Sequence, residues 1–90
     1  MYQSMMHRSL SEKQRDILLA IHRFEIFNGL PLTFREVVSG ADLSSTAVAK
    51  YQIELLEQRG LVTHSRLLNR TIRLSEMGRR YVRRYGLVTA

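Results

Sequence analysis

Residues 43–60 carry the side chains best suited to recognition chemistry. Set about 100° apart on a helical wheel, Ala47, Lys50, Tyr51, Glu54 and Gln58 gather on one side. Val48, Ala49, Ile53, Leu55 and Leu56 gather on the other. An ammonium, a phenol, a carboxylate and a small residue on one face can donate to and accept from base edges in a major groove. The same pattern also suits an ordinary wet helix face, and Tyr51 either faces outward or caps the core. Enzyme chemistry finds no comparable support. His7, His22 and His64 lack paired-ligand spacing and a carboxylate cluster, and neither a nucleophile with its base nor a glycine-rich phosphate loop is present. We assign no catalytic residue, no metal ligand and no cofactor.

The charge distribution sharpens this reading. From Met1 to Gln58 six Lys/Arg face seven acids, a balance of −1, whereas from Arg59 onward eight arginines face Glu76 alone, a balance of +7. Arginine binds phosphate bidentately and stacks on planar groups, so the last third is suited to a polyanion. Nucleic acid is favoured over a membrane surface because the basic segment has no long apolar face to embed. No apolar run reaches the length of a membrane span, and residues 1–9 lack the apolar core of a secretory signal. Cysteine is absent, which fits a cytoplasmic protein. A hydrophobic fraction of 44% argues against wholesale disorder, and 90 residues make one small domain with a thin core.

The elements that position this face follow from local signals. Ser11-Glu12-Lys13-Gln14 is a capping box, opening a helix that runs to about Asn28 with Gly29 beyond its end. Ile17, Leu18, Ile21, Phe24 and Phe27 form its expected core stripe. Leu19 and Ile26 make a second apolar stripe, covered either by the C-terminal segment or by a second copy. Leu30-Pro31-Leu32 is an extended connector. Thr33-Phe34-Arg35-Glu36 is a second capping box, opening a short helix with Val37 and Val38 inward, and Asp42 suits a left-handed turn. Short helix, tight turn and longer amphipathic helix make a helix-turn-helix. Beyond Gly60, Leu61–Ser65 and Arg70–Leu74 are rich in β-branched residues and are expected to pair as a hairpin, or wing, around Arg66-Leu67-Leu68-Asn69. Leu67 and Leu68 at its tip fold back on the core, wedge into a minor groove or touch a second subunit; folding back is the expectation. Ser75 to Gly86 forms a last capped helix, with Tyr81, Val82 and Tyr85 available for packing and four arginines without evident acidic partners.

With these residues in place, the chain resembles the N-terminal DNA-binding domain of the LexA repressor family. The likeness runs ungapped from Leu10 to Leu74. It includes Leu10-Ser11 and Gln14, Gly29-Leu30-Pro31 with Thr33, Glu36, Ser45, Ala49, Gly60 and Arg70-Thr71-Ile72-Arg73-Leu74. The resemblance implies a winged helix-turn-helix, mainly α with a small β-hairpin. A flexible tail would occupy 1–9, the DNA-binding domain 10–74, and a basic helix that could support dimerisation 75–90. It further implies a transcriptional repressor, with helix 45–59 in the major groove and hairpin 61–74 as the wing. Base contacts in the family come from the positions of Ser45, Ala47, Lys50 and Tyr51. Only Ser45 keeps the family's residue type, since an amide stands at the position of Ala47 and acids at those of Lys50 and Tyr51. A different operator is therefore expected. Ninety residues also leave no room for the family's self-cleaving peptidase domain, which supplies its dimer contacts, so induction by self-cleavage is not expected.

Together these readings make Ser45, Thr46, Ala47, Lys50, Tyr51 and Glu54 the candidate base-reading residues. Thr33, Arg35, Ser44, Arg66, Arg70 and Arg73 are the candidate phosphate contacts, with Arg35 equally well placed as a plain surface charge. Leu19, Ile26, Tyr81 and Tyr85 are the candidate dimer contacts. The partner is double-stranded DNA. The alternative is a winged-helix module that binds another protein and has only non-specific affinity for nucleic acid; steep salt dependence of DNA binding argues against it.

Overall fold

Both capping boxes form and set the starts of the first two helices. A computed structural model describes residues 10–84. Helix α1 spans Glu12–Asn28: the Ser11 hydroxyl accepts the Gln14 N–H, and Gln14 returns a bond to the Ser11 N–H. Helix α2 spans Phe34–Ala41 with the same reciprocal pair between Thr33 and Glu36, and ends on Asp42 in the left-handed region at φ 56°. Helix α3 spans Thr46–Gln58. Its carbonyl end closes through Gly60 N–H to Glu57 O and Leu61 N–H to Leu56 O, a bonding pair that requires the left-handed φ of 80° at Gly60.

The three helices enclose Ile17, Leu18, Ile21, Val37, Ala49, Ile53 and Leu56, all fully buried. Beyond them lies the wing. Strand β1, Val62–Thr63, pairs antiparallel with β2, Arg73–Leu74, which puts Val62 and Leu74 inward and Thr63 and Arg73 outward. Helix α4, Glu76–Arg84, closes the far side, capped by Ser75 and burying Val82. It lies so close to the wing that a Cβ on Gly78 would collide with the Leu61 carbonyl oxygen.

Several expectations change. The paired strands are two residues each instead of five, because Ile72 exchanges both backbone bonds with Leu32 of the connector and Arg70 sits at φ 52°. The stretch between is held by side chains, chiefly Thr71 Oγ1 accepting the Ser65 N–H at 2.8 Å. Leu67 and Leu68 do not fold back; they are 92% and 67% exposed. Phe27 is 82% exposed rather than core, in the last turn of α1 where its neighbours Ile26, Asn28 and Gly29 are exposed as well. Ile26 is exposed and Leu19 half-buried, while Tyr81 packs against its own core. On α4, Arg79 does meet an acid, Glu25 at 3.5 Å, and Arg80 meets Glu76 at 3.2 Å. The expected tail at 1–9 and Tyr85 lie outside the described residues. Among the described residues no helix is long and apolar enough to cross a membrane.

Candidate nucleic-acid interface

Helix α3 presents the face that its periodicity predicts. Thr46, Ala47, Lys50 and Tyr51 are exposed, Tyr51 by 61%, while Ala49, Ile53 and Leu56 are buried beneath them. Tyr51 therefore does not cap the core. Ser45 stands at the helix start, its Oγ accepting the Val48 N–H at 3.2 Å. A hydroxyl has one donor and two acceptor sites, so the capping bond leaves the Ser45 proton free to reach a phosphate or a base. On the opposite flank Gln52 accepts a hydrogen bond from the buried amide of Gln14 at 3.0 Å, which ties α3 to the start of α1.

The neighbours of this face orient it. Lys50 Nζ lies 5.8 Å from the centroid of the Phe34 ring, within cation–π range. The His64 ring meets the same Phe34 edge-on, with centroids 5.4 Å apart and planes at 80°. Phe34, the first residue of α2, thus connects the outward lysine of α3 to the base of the wing. His64 Nδ1 is buried and stands 3.2 Å from Glu57 Oε2, close enough for an ion pair with a protonated ring but misaligned for a hydrogen bond. A concave space of about 300 Å³ opens between Phe34, Lys50 and Glu54 on the helix side and Ser65, Arg66 and Asn69 on the wing.

The arginines divide into held and loose. Arg66 reaches Glu54 at 3.6 Å, with both side chains largely in solvent, so the pair contributes little and separates readily. Arg35 and Arg73 point to solvent, as does Ser44. Arg70 is different. Its guanidinium grips the Glu36 carboxylate bidentately at 2.8 and 3.0 Å and also donates to the Pro31 carbonyl. Partial burial raises the Glu36 pKa, but the hydrogen bonds from Arg70 and Thr33 outweigh it and hold the group below its ordinary value. The candidate phosphate contact Arg70 thus already has a carboxylate partner, and Thr33 Oγ1 is engaged in its own helix cap.

Phe34, Glu36 and His64 were absent from the sequence-derived site. The available signal was an aromatic as the first residue of a capped helix, and in the fold it packs partly against the core.

The family model of the LexA DNA binding domain matches residues 7–71. The chain belongs to this family. A LexA repressor from Roseiflexus sp. is 38% identical over 68 residues, covering 76% of this chain and 31% of that protein. One from Corynebacterium efficiens is 39% identical over 54 residues, covering 60% of this chain and 23% of that repressor. The chain thus spans under a third of the length of these LexA relatives. A crystal structure of a hypothetical protein superposes with a TM-score of 0.74 at 22% identity, over 88% of this chain and 24% of that one. That likeness bears on the fold alone, and the two chains share it.

Proposed function

We propose that this protein binds double-stranded DNA sequence-specifically and regulates transcription, acting as a repressor. The carrying observation is the unobstructed outward face of α3: Ala47, Lys50 and Tyr51 stand exposed on a helix whose other side is locked into the core. In this reading α3 enters the major groove. Lys50 donates to guanine O6 and N7, Ala47 offers its methyl to a thymine, and Tyr51 and Ser45 contact neighbouring edges. Thr46 stands with Ser45 at the helix entrance. Glu54 accepts from cytosine once Arg66 swings to a phosphate. The backbone is held by Arg35 and Ser44 on one side and by Arg66 and Arg73 on the other, with the Thr33 end of α2 facing it. With a lysine where the family carries an acid, the operator differs from the family's usual one. A second copy is proposed to meet the first through Ile26, which is exposed together with Phe27 and Leu30.

Selection from a random duplex library at near-physiological salt tests this directly. We expect one enriched motif, and a palindrome with half-sites about one helical turn apart if two copies bind together. Tight binding at low salt with no enrichment would leave a phosphate-binding basic domain and move the protein-interaction module ahead.

A further inference from the structure

Arg70 joins parts of the molecule that are far apart in the chain. Besides its two bonds to Glu36 and one to the Pro31 carbonyl at 3.3 Å, it lies 5.9 Å from the Phe24 ring of α1. Glu36 in turn accepts the Thr33 N–H at 2.9 Å, so the carboxylate that caps α2 also holds the wing. Two residues on, Ile72 is bonded to Leu32 at 2.8 and 3.0 Å. The wing is thus attached to the connector before α2 at two adjacent places, one made by backbone and one by a guanidinium. Only two residue pairs make up its own ladder.

We propose that Arg70 is a positioning residue: paired with Glu36, it sets the angle of the wing against α2 and α3, so that wing and recognition helix reach one duplex together. This rests on the DNA-binding reading above and assigns Arg70 a role other than phosphate contact. Leaving Glu36 for a phosphate would break a bidentate, charge-assisted pair and the Pro31 bond together. Arg66, with a single 3.6 Å contact to Glu54, has no such restraint. A guanidinium is required because its planar fork matches the carboxylate, which a lysine ammonium cannot do.

The discriminating variant is Glu36→Gln. Removing an acid beside a polyanion strengthens binding by simple electrostatics, unless that acid is needed to hold Arg70. Glu36→Gln, Arg70→Gln and the double variant would be titrated with the selected duplex over a range of salt. Hydrogen exchange of the free proteins would be followed at the Leu32 and Ile72 amides. We expect each single variant to bind roughly tenfold more weakly, the double variant to be no weaker than either, and the salt slope to stay at the parent value. Both amides should exchange faster in each variant. If Glu36→Gln binds as tightly as the parent or tighter, and Arg70→Gln lowers the salt slope by about one, Arg70 is a phosphate contact and the proposal is wrong. Unchanged exchange in both single variants overturns it as well. If the parent binds no DNA yet exchange at Leu32 and Ile72 responds to both substitutions, the DNA-binding reading fails while the tie between wing and α2 stands.

Discussion

Helix α3 and the wing lie side by side, yet they are built by different means. The helix is specified locally: a serine cap, thirteen residues of consistent period, and a glycine closure. The wing is specified by distant partners: Leu32 for Ile72, Glu36 for Arg70, and the Leu61 carbonyl packed against Gly78. A surface whose residues depend on a helix period can change its outward side chains freely. A surface whose backbone depends on these three distant contacts cannot. Under the proposed function, sequence variation that alters DNA preference is therefore expected on the outward face of α3.

The largest test of this contrast compares the floors of the two regions. Ile53→Ala, beneath the α3 face, should cost about 2–5 kcal/mol in urea unfolding. Leu67→Ser at the exposed wing tip should stay within about 0.5 kcal/mol. A comparable loss from both would mean that the tip is packed after all. Next comes Gly78→Ala. Its new methyl group would meet a backbone oxygen that cannot turn aside, so we expect a loss of about 1–3 kcal/mol even though the helix gains a better former.

Lys50→Ala probes function at little cost to the fold, removing one exposed cation–π contact with Phe34. Selection repeated with this variant should relax one operator position, worth about 1–3 kcal/mol of discrimination, while the melting temperature holds. Uniform weakening over all positions would instead make Lys50 a phosphate contact. The smallest effect concerns pH. The Glu36 pKa is lowered from 4.5 in the fold, so its contribution is fully present above that value and is lost as pH falls through the lowered one. Acid unfolding followed by circular dichroism should show a shallower loss for Glu36→Gln in the window below pH 4.5.

Much of the architecture could be foreseen because its signals are local. Ser11 with Gln14, Thr33 with Glu36, and Asp42 at the turn each act within a few residues, and each behaves as its type predicts. The outward set on α3 follows from the period alone. The arginines were harder to place. A count of +7 says that a polyanion would be attracted; it does not say which guanidiniums already have a carboxylate. Arg66, Arg70, Arg79 and Arg80 have one, supplied in turn by Glu54, Glu36, Glu25 and Glu76, and the partners of Arg70 and Arg79 lie 34 and 54 residues away.

The sequence by itself determined where the first three helices start and which side of α3 faces outward, since caps and periodicity are short-range physics. Tertiary structure alone decided the rest. It set Phe34 beneath Lys50, left Leu67, Leu68 and Phe27 in solvent, joined Ile72 to Leu32, and paired Arg70 with Glu36. Those outcomes depend on which distant groups arrive within a few ångströms, and no local pattern encodes that.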